Sequence, residues 1–267
     1  MTFSIVAFDA ATGQLGVAVQ SKAFAVGRAV PWLQAGVGAV ATQANGNPHY
    51  GPRGLELLKA GYRPADALAE LTQPDPGRKI RQVGIVDAQG RAATYTGENC
   101  LVHARGLAGD GWACQGNILA SPDVVTAMAE AYTTTQAPFA ERLLAALAAG
   151  QEAGGDVRGM QSAALRIVGH NPNRPDGMLN DLRVDDHHSP IEELVRLYHV
   201  GQKAKEAFAG EFICYAGDIV YMADQLMQKL HIPSLQGLAD YLGVADAIHG
   251  RKISVQFRQA IDAERQK

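Results

Sequence analysis

Regular structure reads as beginning at the second residue of this chain, and that most narrows what it can fold into. Thr2–Phe8 is rich in β-branched and aromatic residues, Asp9–Gly13 is turn chemistry, and Leu15–Val19 is a second apolar run. The stretch from Thr2 to Gly38 therefore predicts a strand hairpin at the amino end. A terminus that starts in a core strand is held rigidly. Removal of Met1 would leave a threonine carrying both a hydroxyl and a free α-amine. An α-amine titrates near ~7.7–8.0 and suits a general base at neutral pH. Nucleophile and base would then sit on one residue, as in N-terminal-threonine acyl transfer. Small second residues are common, so Thr2 alone does not decide the matter.

At 267 residues the chain suits one large domain, or one domain with an appendage, and 47% hydrophobic content is ample for a core. A net charge of −3 gives no general attraction to nucleic acid or acidic membrane. No apolar run is long enough to span a bilayer, and no signal peptide is expected. Cys100, Cys114 and Cys214 are odd in number and far apart, which argues for reduced thiols in a cytoplasmic protein.

Val37–Thr42 reads as a third strand, followed by the polar residues Gln43, Asn45, Asn47, His49 and Tyr50. Gly54–Ala60 and Pro64–Leu71 read as helices. Arg81–Asp87 and Arg91–Thr96 form a hairpin around Ala88-Gln89-Gly90, and Leu101–Arg105 is one further candidate strand. A helix after Ser121-Pro122, another after Pro138, a strand over Ser162–Val168 and a helix capped by Ser189 follow. Beyond Gly201 the chain reads as wholly helical, so a boundary is expected there: residues 1–200 as one domain and 201–267 as a helical extension. Strands and paired helices in this order are α+β, and two sheets face to face with a helix pair on each outer side would bury every apolar stripe.

The chemistry-bearing residues lie in loops and strand ends. Gln115-Gly116-Asn117 is read as a loop whose Gly116 N–H and Asn117 amide are the donor pair of an oxyanion hole, or as a simple turn. The loop Gly154–Ser162 carries three glycines, Asp156, Arg158 and Ser162; it is either wrapped around a site or stapled by an Asp156–Arg158 pair. Lys22 lies just past the second strand, where a cation would tune a neighbouring amine. Asp185-Asp186-His187-His188 is dense in possible ligands, but neighbours on an extended segment point opposite ways, so a structural role is preferred and no metal is expected. No phosphate-cradling glycine motif is present.

Taken together, TFSIVAFDAATGQLGVAVQSKAFAVG, GVGAVATQAN-NP-YG, RQVGIVDAQG, QGN, AGGDVRGMQSAAL and LRVDDHHSPIEEL resemble domain-of-unknown-function family 1028 through about residue 200. That family is grouped by fold with the N-terminal nucleophile (Ntn) hydrolases, relatives of proteasome β subunits. The resemblance implies a four-layer αββα sandwich, Ntn-hydrolase-like, with the helical extension appended. It puts Thr2 where the superfamily keeps its nucleophile and Lys22 near supporting polar residues, although the usual third-strand Lys has no counterpart beyond the nearby Arg28. The Gln115–Asn117 stretch corresponds to the oxyanion loop, and Asp156 and Ser162 to a later Asp and Ser pair, two residues too far apart.

The resulting expectation is an amide hydrolase. Thr2 is the nucleophile, Gly116 and Asn117 hold the oxyanion, and Lys22, Asp156 and Ser162 tune the amine. Gln43, Asn45, His49 and Arg53 face a small polar amide or peptide. No cofactor is expected, nor a nucleic-acid or membrane partner; a homodimer or higher homo-oligomer is. The alternatives are a non-catalytic scaffold or a small-molecule-binding protein on the same fold.

Overall fold

The computed structural model describes residues 2–171, 174–211, 213–214, 223, 226–242, 248–249, 252–253, 257, 260–261 and 263–264. It is a mixed α+β structure with two large antiparallel sheets, and the chain divides into two compact units, Met1–Leu197 and Tyr198–Lys267.

The first sheet has six strands in the order β10-β9-β2-β1-β8-β7: β1 Thr2–Asp9, β2 Gln14–Ser21, β7 Arg105–Gly109, β8 Trp112–Asn117, β9 Ser162–Val168 and β10 Met178–Val184. The expected amino-terminal hairpin is its centre. Gly13, at φ 69°, closes the turn with its N–H on the Asp9 carbonyl (2.8 Å), and the Thr12 hydroxyl donates to the Asp9 carboxylate (2.6 Å). The second sheet has four strands in the order β3-β4-β5-β6: β3 Pro31–Gln34, β4 Gly38–Ala44, β5 Arg81–Asp87 and β6 Ala92–Thr96.

Strand alternation decides what each face meets. Val6, Val17 and Val19 of the first sheet share one core with Ala39, Ala41 and Val86 of the second. The alanines let the backbones approach closely. On the other side of β1, Phe3 lies against Gly150 of helix α4 (Phe139–Glu152), while the backbone of Gly16 sits under Leu143 and Phe139 of that helix. Helix α3 (Asp123–Thr134) packs Met128 beside Gly150. Against the second sheet, helices α1 (Tyr50–Lys59) and α2 (Pro64–Thr72) bury Leu55, Leu58, Leu68 and Leu71 on Val40, Val83 and Ile85. Each such leucine contributes about 2 kcal/mol of burial.

The structure departs from the sequence reading in several places. Gln115–Asn117, read as a loop, is the end of strand β8, and the strand expected at 101–105 lies instead at Arg105–Gly109. Glycine and polar residues there mask the period-2 pattern. Strands β3 and β10 have no counterpart in the sequence reading; Pro31 and the charged Asp181 and Arg183 hide them.

Helix α5 runs Pro190–Glu211. In the unit Tyr198–Lys267, Leu226, Leu238, Phe257 and Ile261 are buried together. The reading of 201–267 as wholly helical needs correction. Ile213–Cys214, Ile248–His249 and Lys252–Ile253 pair as short antiparallel strands. Met1, on whose removal the nucleophile expectation rests, lies outside the described residues. Among the described residues no helix is long and apolar enough to cross a membrane.

Candidate functional site

Antiparallel pairing brings the start of β1, the end of β2, the end of β8 and the start of β9 to one end of the six-stranded sheet. The register pairs Thr2 with Ser21, Thr2 with Asn117, and Ser21 with Ser162. The result is a row Ser162–Ser21–Thr2–Asn117 across four adjacent strands. Neighbouring strands lie about 4.8 Å apart, so the row is continuous. All four residues are buried. Four buried polar side chains in the last rung of the sheet need partners, and each has one.

The Thr2 hydroxyl donates to Ser21 Oγ at 3.1 Å, and the Ala23 N–H donates to the same Oγ at 3.2 Å. Ser162 Oγ donates to the Ala23 carbonyl (2.6 Å) and accepts the Val26 N–H (3.0 Å), pinning the chain that leaves β2. Asn117 Nδ2 donates to the Thr2 carbonyl (3.4 Å) and to Gln82 Oε1 (2.8 Å).

Asp156 closes the site from the loop before β9. Its buried carboxylate accepts the Lys22 N–H (3.2 Å) and the Arg158 N–H (2.9 Å) and pairs with the Arg158 guanidinium (3.0 Å). The stapling role and the wrapped-loop role therefore coincide in one carboxylate. The Lys22 side chain is exposed, and its Nζ donates to the Met160 carbonyl of that same loop (3.1 Å).

Beneath the row lies a glutamine network that joins the two sheets. Ser4 Oγ donates to Gln43 Oε1 (2.6 Å) and accepts from Gln115 Nε2 (2.6 Å). Gln43 Nε2 is within 3.1 Å of the Thr2 carbonyl and 2.9 Å of Gln82 Oε1. Gln82 Nε2 in turn donates to the Gly116 carbonyl (2.7 Å). Ser4, Gln43, Gln82 and Gln115 are all buried, so the network fixes the Thr2 peptide from below.

Several expected roles do not survive this geometry. Gln43 does not face a substrate; it is spent between the sheets. Gly116 is not in a loop: it lies in β8 with β1 and β7 on either side, so its N–H lies in the plane of the sheet. Both Asn117 amide hydrogens are committed inward, which makes it a positioning group for Thr2. His49 and Arg53 are exposed on α1 and its approach, with Arg53 paired to Glu56 (3.0 Å). Asn45 does open onto the site. In the 185–188 cluster, Asp185 pairs with Arg183, Asp186 accepts from Gln161, and His187 Nδ1 accepts the Ser189 N–H.

A cleft of about 490 Å³ opens beside the row, lined by Asn45, Ile80, Asn99, Cys100, Leu101 and Asn117 among others. Burial pushes the Cys100 thiol above its usual range. Two lining residues, Ala44 at φ 64° and Ile118 at φ 51°, hold left-handed backbone without being glycine. For β-branched Ile118 this costs about 1–3 kcal/mol, and such residues cluster at functional sites. Ser21 and the glutamine network were missed from sequence. A hairpin closing on Ala10–Gly13 pairs Thr2 with Ser21, so that partner was available; Gln82 was not, because it needs the sheet-to-sheet contact.

The model of a family of unknown function, DUF1028, matches residues 2–194. The chain belongs to this family. Every residue of the polar row lies inside the DUF1028 match. The crystal structure of a DUF1028 protein from Silicibacter pomeroyi is 35% identical with a TM-score of 0.69, covering 74% of this chain and 84% of that one. Anbu (ancestral beta-subunit) from Yersinia bercovieri matches at 11% identity and a TM-score of 0.35, covering 77% of this chain and 96% of that one. No curated protein matches the chain.

Proposed function

We propose that this DUF1028 protein is an amide hydrolase of the N-terminal nucleophile type, built as a four-layer αββα sandwich, with Thr2 as nucleophile once Met1 is removed. The observation that carries the reading is the Thr2 hydroxyl, held by Ser21 Oγ at 3.1 Å in a buried polar row next to a cleft. A hydroxyl fixed in this way can be aimed at a carbonyl, and the freed α-amine of the same residue can take its proton.

In this mechanism Thr2 Oγ1 attacks the substrate carbonyl carbon and the Thr2 amine accepts the hydroxyl proton. The protonated amine then protonates the leaving nitrogen as the C–N bond breaks, and water hydrolyses the ester left on Thr2. Ser21 aims the hydroxyl. Asn117 and Gln43 hold the Thr2 carbonyl and thereby the amine's position. Asp156, with Lys22 and Ser162, fixes the backbone over the site.

The commitment of Gly116 and Asn117 to the scaffold also favours a second reading, a binding protein on the same fold. Intact mass of untagged protein separates the two. A chain beginning at Thr2, with amide turnover abolished by Thr2→Ala and kept by Thr2→Ser, supports the hydrolase. A chain retaining Met1 leaves only the binding protein.

A further inference from the structure

The cleft, which the polar row reaches through Asn117, carries no charged side chain among its described lining residues. Its walls are aliphatic: Ile80, Leu101 and Ile118. The mouth continues in the same character. Leu101 is 63% exposed, Val102 61% and Val157 61%, where large apolar side chains are normally covered. These three belong to one surface. Ile118 donates its N–H to the Leu101 carbonyl (2.9 Å), Leu119 donates to Val102 (3.2 Å), and the Val157 N–H reaches the Ile118 carbonyl (3.3 Å).

The polar groups in the cleft are carboxamides, and their internal bonds leave complementary halves. Asn45 accepts Arg81 Nη1 at both its carbonyl (2.6 Å) and its Oδ1 (3.3 Å), which leaves its amide hydrogens to give. Asn117 spends both amide hydrogens inward, which leaves its oxygen to accept. Asn99, exposed at the rim, offers both. A donor and an acceptor between aliphatic walls match a peptide group that carries an apolar side chain. Arg81, which bonds the lining residue Asn45, is already paired with Asp75, and Lys79, next to the lining residue Ile80, is paired with Glu98. A carboxylate or ammonium entering here would lose its water without a counter-ion.

We infer that the cleft takes an uncharged peptidyl amide with an aliphatic side chain. This rests on the hydrolase reading for its cleavage step and on the cleft alone for its binding step. It sharpens the expected small polar amide toward an apolar one.

Cys100 lines the cleft, so its alkylation reports occupancy without any turnover. Full-length Thr2→Ala protein would be labelled with iodoacetamide, and the Cys100 peptide followed by mass spectrometry. N-acetyl-leucinamide should slow labelling at least threefold at a concentration where N-acetyl-lysinamide and N-acetyl-aspartamide do not. The variant L101D should lose protection by the leucine amide and gain protection by the lysine amide. Equal protection by all three probes, or none by the leucine probe, would overturn the proposal. Protection by the leucine probe without turnover of leucine amides by wild-type protein would sustain the binding inference and defeat the hydrolase reading. Faster turnover of charged amides than of leucine amides would do the reverse.

Discussion

The hydroxyl of Thr2 and the hydroxyl of Ser21 lie 3.1 Å apart at the last rung of the central hairpin, and the hairpin's own register puts them there. Ser21 Oγ also holds the Ala23 N–H, so it fixes both the candidate nucleophile and the chain turning away above it. Replacing Ser21 by Ala leaves a buried hydroxyl and a backbone N–H short of a partner. The expected cost is ~1–2 kcal/mol of stability. Amide turnover should fall about tenfold to a hundredfold with little change in KM, because the loss is one of aim. Unchanged kcat in a folded S21A protein would remove Ser21 from the positioning of Thr2.

Asp75 gives a pH-dependent test outside the site. Burial alone would raise its pKa. Hydrogen bonds from Arg81 Nε (2.9 Å), the Tyr50 hydroxyl (2.7 Å), the Gly77 N–H (2.7 Å) and Asn47 Nδ2 (3.3 Å) outweigh this and hold the carboxyl well below its usual range. Burial and the Asp75 bond push the Tyr50 hydroxyl up in turn. A carboxyl with a lowered folded-state pKa contributes stability above its unfolded pKa, ~3.9, and loses it as pH falls toward the folded value. D75N should therefore melt ~4–8 °C below wild type at neutral pH, for a loss of ~2 kcal/mol. The gap between the two proteins should narrow as pH falls below about 4. A gap constant with pH would show that the carboxylate charge is not what stabilises this corner.

Asp156 offers a comparable test at the site. Its carboxylate accepts two backbone N–H groups and the Arg158 guanidinium, tying the end of β2 to the loop before β9. D156N keeps the shape and loses the charge, at an expected cost of ~1–3 kcal/mol. Hydrogen exchange at the Lys22 and Arg158 amides should quicken selectively, while amides in the middle of β1 and β9 keep their protection. Uniform loss of protection across the sheet would assign Asp156 to global stability alone.

Local chemistry made much of this legible. The hairpin, the helix pairs and the loop before β9 follow from turn residues, Pro at helix starts and apolar stripes. What stayed hidden depends on contacts far apart in sequence. Strand β8 carries Gly116 and Gln115 where β-branched residues would announce a strand; the space they fill is set by Leu119 and by the facing sheet. Gln43 looked like a polar residue beyond a strand. It is instead the last inward-facing position of a strand, bonded to Ser4 across the gap between the sheets and to Gln82 on the neighbouring strand of its own sheet. Thr2 was named from sequence for its hydroxyl and terminal amine, and Asn117, Asp156 and Ser162 for loop chemistry and the family resemblance; that Thr2, Asn117 and Ser162 share one end follows from the antiparallel order of β9, β2, β1 and β8.

Gly84 tests whether the two sheets are locked where the glutamine network crosses between them. It lies in β5, opposite Ala41 on β4 and Thr94 on β6, and its backbone faces Gln115 of the other sheet. A Cβ at this position would overlap the Gln115 carboxamide. That carboxamide cannot swing aside cheaply, since its Nε2 is bonded to Ser4 Oγ at 2.6 Å in a buried setting. G84A should thus cost ~1–3 kcal/mol through overpacking, although alanine is otherwise the easier residue to order. Q115A alone should also destabilise, by leaving the Ser4 hydroxyl without the amide that donates to it and a void between the sheets. The double variant G84A/Q115A should lose less than the two single losses combined, because the new methyl fills part of the space the glutamine vacates. A double-mutant cycle by urea unfolding measures this directly, with an expected coupling of ~1 kcal/mol or more in the compensating direction. Strict additivity would mean that Gly84 and Gln115 do not meet, and that the network beneath Thr2 is held by one sheet alone.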